Sequence, residues 1–326
     1  MKVGIIGCGR IARTMADTIN NTKGFELYAV AARDIERANA FKEEFNASVS
    51  YGSYEELVSD DNVELVYVAT PHSHHKDHML LCLNHNKPIL CEKAFTVNEA
   101  EAKEVLDLAK EKGLFVGEAI WTRYMPSRKI IDKIIGEGKI GRVTSVTANL
   151  GYQISDKERI IDPALGGGAL LDIGIYPLNF ALMARNNVNV KALTGVCTKA
   201  ETGVDLQDSM VICFEDGSIA TIFADAEITS DRRGYIYGTK GYIEVENINN
   251  PEVIRVYDNS RNPFMNTEII IKKDYNGYEY ELLEAKKCIE EGKIESEMMS
   301  HKETLRVMRF MDAFRASWGV KLSNEV

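Results

Sequence analysis

The chain has 326 residues and a formal net charge of −10, from 49 acidic and 39 basic side chains. Hydrophobic residues make up 45% and charged residues 27%, a balance typical of globular proteins with a packed core. This length exceeds that of one ordinary core, so we expect two domains. The acidic balance disfavours nucleic acid as a partner.

The sequence shows no apolar run that we expect to span a bilayer. The apolar N-terminal segment is interrupted by Gly4, Gly7 and Gly9 and lacks a signal cleavage pattern. We therefore expect no membrane partner and predict a cytoplasmic protein. The cysteines are scattered without a C-x-x-C pair, so we interpret them as reduced core thiols: Cys8, Cys82, Cys91, Cys197, Cys213 and Cys288.

The first twelve residues form a short apolar strand that runs into Gly7-x-Gly9-x-x-Ala12 and then into a helical pattern. Gly7 permits a tight turn, Gly9 lets the backbone approach a pyrophosphate, and the small Ala12 lets the helix pack on the strand. A pyrophosphate would bind at the helix N-terminus, where Arg10 and Ile11 also lie. We therefore assign these five residues to a cofactor site. The alternative is a plain strand-turn-helix whose glycines serve packing.

Through about residue 120, apolar strands alternate with amphipathic helices, which predicts a parallel sheet covered on both faces. Capping boxes at Ser53–Glu56 and Thr96–Glu99 predict two helix starts, and Gly113 predicts a helix end. Residues 1–120 are therefore predicted to form an NAD(P)-binding Rossmann domain. Its strands are expected at Val3–Ile6, Leu27–Ala32, Leu65–Ala69, Ile89–Cys91 and Phe115–Gly117.

After Trp121 the pattern changes, and we predict that residues 121–326 form an α+β domain for substrate binding and dimerisation. Turns at Asp216-Gly217 and Thr239-Lys240-Gly241 join short strands, which predicts a large and mainly antiparallel sheet. An exposed apolar face of that sheet would favour a homodimer. The strands are expected at Met210–Phe214, Ile219–Ala226, Tyr235–Tyr237, Tyr242–Glu246, Ile254–Tyr257 and Glu268–Ile271, and the helices at Pro126–Glu137, Ala169–Ala184, Tyr278–Glu291 and Ser300–Trp318.

A candidate catalytic lysine stands in Cys91-Glu92-Lys93-Ala94, directly after a predicted strand. Doubly wound sheets bind ligands at the carboxyl ends of their strands. The charge of Lys93 would stabilise a negative substrate oxygen as hydride moves. The alternative is a surface lysine paired with Glu92, and position alone does not decide between the two.

A second candidate group follows Gly166-Gly167-Gly168, which opens a predicted helix. Asp172 and Tyr176 are four residues apart, so they share one helical face. A carboxylate and a phenol together suit proton transfer. The alternative is an aspartate that stabilises the helix start and a tyrosine buried for packing.

Four histidines crowd the segment after the strand Leu65–Ala69. His74 and His78 have the i, i+4 spacing of a metal-binding helix, but no glutamate completes a known signature. We therefore predict no metal site.

The end of the second strand predicts the cofactor. NAD enzymes usually place a carboxylate at this strand tip, but here Ala32 occupies that place and Arg33 follows, with Arg37 one turn later. A guanidinium group binds a 2′-phosphate well, so NADP is predicted. Asp34, one position further on, keeps NAD as the alternative.

Five motifs follow one another along the chain: Gly7-x-Gly9-x-x-Ala12, Thr70-Pro71-His72-x-x-His75, Glu92-Lys93, Glu118–Arg123 and Gly167–Tyr176. Their order and spacing resemble those of the Gfo/Idh/MocA oxidoreductases. The chain looks most like the dimeric dihydrodiol dehydrogenase branch, which also includes NADP-dependent D-xylose dehydrogenases. The similarity extends over nearly the whole chain and thins between residues 245 and 275.

The resemblance implies that Lys93 is catalytic, that Tyr176 fills a position held by histidine in the inositol dehydrogenases, and that Asp172 accompanies it. It also implies a nicotinamide site. Ala94 stands where the family usually has proline, so we expect a less rigid loop, and His72 stands where asparagine is common. The residues implied beside the cofactor are Thr70, Pro71, His72, His75, Glu92 and Lys93, with Trp121 and Arg123 as walls of the cofactor and substrate site.

Together these features predict an NADP-dependent oxidoreductase that acts on a secondary alcohol or hemiacetal carbon. The expected substrate is a small sugar, polyol or cyclic diol. The alternative is a nucleotide-binding sensor or regulatory subunit of the same fold without turnover, because fold alone does not fix function.

Overall fold

A computed structural model describes residues 1–186, 188–260 and 264–322. The chain divides into two compact units. The first unit comprises Met1–Tyr124 and Asp274–Met308, and the second comprises Met125–Lys273 and Arg309–Val326.

The first unit contains a six-stranded sheet in which all neighbouring strands are parallel. The strands are β1 Lys2–Ile6, β2 Glu26–Ala31, β3 Val49–Tyr51, β4 Leu65–Val68, β5 Ile89–Glu92 and β6 Val116–Ala119. Their order, β3-β2-β1-β4-β5-β6, is that of the dinucleotide-binding folds, with the switch point between β1 and β4. The predicted Rossmann sheet is confirmed. The three-residue strand β3 was too short to stand out in the sequence.

Helices cover this sheet: α1 Arg10–Asn21, α2 Ile35–Phe45, α3 Tyr54–Ser59, α4 His72–Asn84 and α5 Glu99–Lys112. The capping box at Ser53 is confirmed, and Gly113 ends α5 in the left-handed conformation. The predicted box at Thr96 is wrong, because Asn98 caps α5 by accepting a hydrogen bond from the Glu101 amide. Asparagine at this position offers the same acceptor two residues later.

The first unit also contains a C-terminal segment that the single predicted boundary at residue 120 did not place there. Helix α9, Glu279–Glu290, packs Leu282, Ala285 and Cys288 into the core of the first unit. Helix α10, His301–Trp318, belongs to the first unit as far as Met308 and to the second from Arg309. An amphipathic pattern predicts that a helix has a buried face but does not say which core receives it.

The second unit contains an eight-stranded sheet with the order β14-β13-β12-β11-β7-β10-β9-β8. Its strands are β7 Val143–Gly151, β8 Val190–Lys199, β9 Asp205–Phe214, β10 Ile219–Asp225, β11 Gly234–Gly238, β12 Gly241–Val245, β13 Val253–Asp258 and β14 Met265–Ile270. Only β7 and β10 pair in parallel, so the mainly antiparallel sheet is confirmed. The predicted strands did not include β7 or β8.

Three helices belong to the second unit before its last segment: α6 Pro126–Gly136, α7 Glu158–Ile161 and α8 Ile175–Ala184. The helix predicted over 169–184 is instead a π-helical turn, Leu170–Gly174, followed by α8. The sequence expectation about apolar length was also wrong, because Pro163–Ala184 is long and apolar enough to cross a membrane. Its apolar window is fully buried in the fold, as in the core helix of a globular protein.

Candidate active site

The turn after β1 has the shape that a diphosphate requires. Gly7 has φ +102°, and a Cβ there would lie 2.8 Å from the Ala69 carbonyl oxygen, so only glycine fits. Gly9 occupies the N-cap of α1, and no side chain among the described residues caps that helix. Arg10 is exposed at the first helical position, and Ala12 is fully buried. Uncapped amides at a helix start bind an anion, so these residues fit a dinucleotide.

The tip of β2 presents two guanidinium groups. Arg33 and Arg37 are both exposed. Burial raises the pKa of the Tyr54 phenol above its usual range, and the charges of both arginines partly oppose that rise. Asp34 caps α2, where its carboxylate accepts a hydrogen bond from the Glu36 amide at 3.0 Å. The acid that kept NAD as an alternative therefore has a structural role at the helix start.

Tyr54 and His78 also lie in this region, and the sequence analysis did not assign them to it. The Tyr54 and His78 rings meet edge to face with centroids 4.6 Å apart, and His78 Nδ1 lies 2.9 Å from Thr70 Oγ1. Burial and the neighbouring His74 lower the pKa of His78 to about 4. Because β3 was missed, the start of α3 that carries Tyr54 could not be placed at the carboxyl edge of the sheet.

The histidine pair with metal-binding spacing stacks ring on ring. The His74 and His78 centroids are 5.8 Å apart. Within residues 1–186, 188–260 and 264–322, no group of three or more His, Cys, Asp or Glu side chains is arranged to hold a metal ion. Helix α4 therefore presents these rings to one another and to Thr70. His72 is half-buried at the first position of the helix.

His75 connects two turns at the carboxyl edge of the sheet. It is fully buried, with Nδ1 2.9 Å from the Ala94 carbonyl oxygen and Nε2 2.7 Å from the Thr70 carbonyl oxygen. Burial and the nearby His72 lower the pKa of His75 to about 3, so the ring is neutral. It therefore lies between the turn after β4 and the turn after β5, which carries Lys93, and its single N–H donates to one of the two carbonyl oxygens. Its contact with a cofactor stays a prediction.

Lys93 is half-buried in the turn after β5, and the Lys93–Ala94 peptide is cis. Ala94 is fully buried and its carbonyl group faces His75. The lower rigidity expected from the missing proline stays a prediction. Glu92 is also buried and accepts a hydrogen bond from the Tyr67 hydroxyl. The alternative of an exposed surface pair does not fit a buried Glu92.

A second buried carboxyl group lies close to Glu92. Glu281 of α9 is fully buried, and neither carboxyl oxygen has a hydrogen-bond partner among the described residues. Burial and the charge of Glu92 raise the pKa of Glu281 well above its usual range. The sequence analysis missed this acid because it placed α9 in the other domain.

The residues predicted as site walls contact the C-terminal segment of the first unit. The Trp121 ring stacks on Tyr278 with centroids 4.2 Å apart and planes 4° apart. Arg123 is only 7% exposed and donates to Glu303 Oε1 at 2.8 Å. Arg123 is therefore a buried partner of α10 and not a solvated surface residue. Whether the two residues also line the cofactor and substrate site stays a prediction.

Glu118, near the end of β6, is the single acid of the motif Glu118–Arg123. The Thr304 hydroxyl donates to its Oε2 at 2.9 Å, and its Oε1 has no partner among the described residues. Burial raises the pKa of Glu118 to about 7, although Thr304 and Arg123 act in the opposite direction. The carboxyl group therefore changes charge near neutral pH.

The second candidate group lies in the second unit. Asp172 is buried in the π-helical turn and accepts a hydrogen bond from Arg159 at 2.9 Å. Tyr176 is buried in the first turn of α8. The structure thus places this carboxylate and phenol on consecutive helical turns, and π-helical turns occur frequently at functional sites.

Other parts of the protein occupy the space beside the glycines that precede this turn. A Cβ at Gly167 would lie 2.6 Å from the Ile160 carbonyl oxygen, and one at Gly168 would lie 2.5 Å from Asp205 Oδ1. Gly168 also has φ +119°, which side chains rarely adopt. These two glycines therefore allow close approach of a backbone carbonyl group and a buried carboxylate of the protein.

Comparison with known proteins gives two family matches. Residues 1–119 match the GFO/IDH/MocA model described as "Oxidoreductase family, NAD-binding Rossmann fold". Residues 129–244 match the model described as "GFO/IDH/MocA C-terminal domain". The first match includes Lys93 and the second includes Asp172 and Tyr176, whereas Trp121 and Arg123 lie between the two matched ranges.

Individual relatives extend the similarity over almost the whole chain. The trans-1,2-dihydrobenzene-1,2-diol dehydrogenase of Mus musculus is 32% identical over 98% of this chain and 97% of its own length. That of Xenopus tropicalis is 32% identical over 98% of both chains. A 3-ketoreductase from Actinomadura kijaniata, crystallised with NADP and TDP-benzene, has TM-score 0.86 at 22% identity over 97% of both chains. An aldose-aldose oxidoreductase from Caulobacter crescentus, complexed with glycerol, has TM-score 0.86 at 22% identity over 96% of both chains.

Proposed function

The chain belongs to the GFO/IDH/MocA oxidoreductase family, and on that premise we propose that it is an NADP-dependent dehydrogenase or reductase. The proposed reaction moves hydride between nicotinamide and a secondary alcohol or hemiacetal carbon of a small sugar, polyol or cyclic diol. One observation carries the proposal. The carboxyl ends of neighbouring strands β2, β1, β4 and β5 carry Arg33, Gly7, Thr70 and Lys93 on a single edge.

The residues that would hold the cofactor are those of that edge. Gly7 and Gly9 would receive the diphosphate on the open amides of α1, and Arg33 and Arg37 would bind the 2′-phosphate. The bound nicotinamide supplies the hydride chemistry, while the protein supplies orientation and charge. NADP is favoured over NAD because Asp34 is engaged in capping α2.

The acid and base are assigned to two side chains. In the oxidising direction, Tyr176 accepts the proton of the substrate hydroxyl group, and the charge of Lys93 stabilises the negative oxygen. Asp172 stands one turn before Tyr176 and is held by Arg159, so it would orient the phenol or the substrate. Lys93 is in turn fixed through the buried Ala94 and His75.

The substrate class is supported by the named relatives and neighbours. The curated relatives act on a dihydrodiol, and the neighbours with this fold include a ketoreductase and an aldose oxidoreductase. All these compounds offer a secondary alcohol, a hemiacetal or the corresponding carbonyl group. This shared chemistry is what we carry over to the chain.

Turnover, followed through the absorbance band of the reduced nicotinamide, tests the proposal. The protein is mixed with NADP or NAD and a panel of aldoses, polyols and cyclic diols. We expect turnover with at least one class and a preference for NADP. Tight NADP binding without turnover across the panel would contradict the enzyme and favour the sensor.

We also propose a homodimer and a cytoplasmic location. The sheet of the second unit carries a cluster of tyrosine rings on β11, β12 and β13, with Tyr242 stacked on Tyr257 at 4.6 Å. Such a face resembles a subunit interface more than a solvated one. All six cysteines are free thiols, as in a reducing compartment. A monomer mass by light scattering at micromolar concentration would contradict the dimer.

A further inference from the structure

The π-helical turn that bears Asp172 and leads into the Tyr176 turn of α8 begins at an amide held by a buried carboxylate. The Leu170 N–H donates to Asp205 Oδ2 at 2.6 Å. Asp205 is only 1% exposed, and its other oxygen lies against Gly168 so closely that no Cβ fits there. The first amide of the π-helical turn is therefore fixed by one carboxylate from β9, and no described backbone acceptor takes its place.

An irregularity in the pairing of β8 with β9 places the Asp205 side chain on the side of the sheet that faces this turn. Between β8 and β9, Thr198 pairs with Gln207 and Lys199 pairs with Asp205, so Leu206 is an extra residue. Side chains alternate along a strand, and one extra residue moves the next side chain to the opposite face. Asp205 consequently joins the buried face that carries Asp208 and Met210.

Asp208 is a second acid beneath the same turn. It is fully buried, and apart from Asp205 no described residue offers its oxygens a hydrogen bond. A lone carboxylate in such a place is very unfavourable unless it is neutral. Burial and the charge of Asp205 raise the pKa of Asp208 well above its usual range, so Asp208 holds a proton and donates it toward Asp205.

We propose that Asp205, sharing a proton with Asp208, is a positioning residue for the π-helical turn that carries Asp172 and leads directly into the first turn of α8, which carries Tyr176. The Asp205 carboxylate fixes the turn by accepting the hydrogen bond of the Leu170 amide. The proton shared with Asp208 lets Asp205 keep its negative charge beside a second acid. The catalytic part of this inference rests on the proposed function. The charged and titratable groups around the pair are Cys197 and Lys199 on β8, Asp225 on β10 and Arg315 on α10.

Hydrogen exchange tests the positioning role without any substrate. Asp205→Ala removes the acceptor, so we expect peptides containing Leu170 to exchange at least tenfold faster than in the wild type. Asp205→Asn keeps an amide oxygen that accepts the same hydrogen bond and should retain most of the protection. Asp61→Asn, in an exposed position of the first unit, is the matched control and should change nothing. Wild-type exchange in Asp205→Ala would overturn the proposal.

Asp208→Asn tests the shared proton in a variant expected to fold, because asparagine resembles the neutral acid. The folded wild type holds a proton that the unfolded chain releases above its ordinary pKa, so wild-type stability falls as pH rises from 5 to 8. The folding constant of the wild type should fall by up to tenfold per pH unit relative to the variant. Parallel pH profiles of urea unfolding in the two proteins would refute the shared proton.

Turnover gives the last measurement. Asp205→Ala should lower kcat at least tenfold while the Kd for NADPH stays within twofold, and Asp205→Asn should restore most of kcat. An unchanged kcat in Asp205→Ala would overturn the positioning role. A wild type without turnover would refute the proposed function instead, and the exchange and unfolding measurements would still decide the role of Asp205.

Discussion

The turn that carries Lys93 and the turn that carries Asp172, just before Tyr176, are held by opposite kinds of group. In the first unit, a buried imidazole faces a carbonyl oxygen, because His75 meets the turn at Ala94. In the second unit, a buried carboxylate accepts from an amide, because Asp205 meets the turn at Leu170. The residue type that supports a turn thus depends on which backbone group the turn leaves without a partner.

Both turns also lie beside a pair of buried acids, and the pairs differ in their partners. Asp205 accepts a backbone hydrogen bond, whereas Glu281 has no described hydrogen-bond partner and feels the charge of Glu92. Two adjacent buried carboxylates do not both ionise, so each pair keeps a proton. The proton is therefore held differently in the two units, because Asp208 lies beside an acid that also accepts a backbone hydrogen bond, whereas Glu281 lies beside one that accepts from the Tyr67 hydroxyl.

The largest expected effect tests whether the two turns serve one reaction. Lys93→Met and Tyr176→Phe remove a charge and a hydroxyl group at nearly constant volume, so turnover should fall about 10²- to 10⁴-fold while NADP still binds. The double variant should be little worse than either single variant, because groups that act as a unit are non-additive. Turnover of all three at saturating NADP is the measurement. Near-native activity in Tyr176→Phe would leave Lys93 as the proton acceptor.

The next effect measures how much stability the first unit derives from a buried proton. The pKa of Glu118 is about 7 in the folded chain against 4.5 as its ordinary value, so its stabilisation is complete below pH 4.5 and is lost as pH rises to 7. Glu118→Gln keeps an acceptor for Thr304 and should unfold with a flatter pH profile, by up to about 3 kcal/mol between pH 4.5 and 8. The midpoint of urea unfolding at each pH is the measurement. Glu111→Gln, at an exposed position, is the control, and a wild-type profile in Glu118→Gln would contradict this account.

The smallest expected effect separates cofactor binding in the first unit from proton transfer in the second. Arg33→Ala should raise the KM for NADP about tenfold and leave that for NAD nearly unchanged, because one charge-assisted contact to the 2′-phosphate is lost. Lys42→Ala, which removes a half-buried charge from the last turn of α2, is the control. Equal effects on the two cofactors would remove Arg33 from the 2′-phosphate site.

Much of this arrangement was predictable from local sequence signals. The family, the dehydrogenase or reductase class and both sheets are confirmed, because glycine spacing, apolar alternation and strand-turn-helix order are short-range patterns. The supporting groups were not predictable. Asp205 faces its turn only through an irregularity at Leu206, and Glu281 meets Glu92 only because α9 packs in the first unit. Both depend on contacts between residues far apart in sequence, which no local pattern records.

The discontinuity of the first unit sets the order in which its parts become available during synthesis. Its parallel sheet is complete by Ala119, but α9, which fills part of its core, follows more than 150 residues later. During translation, the intervening strands of the second unit leave the ribosome before helix α9 has been synthesised. Until α9 is synthesised, the apolar surface that it covers in the first unit therefore stays exposed. Nascent chains stalled before residue 274 should bind a chaperone or a hydrophobic dye more strongly than the released protein.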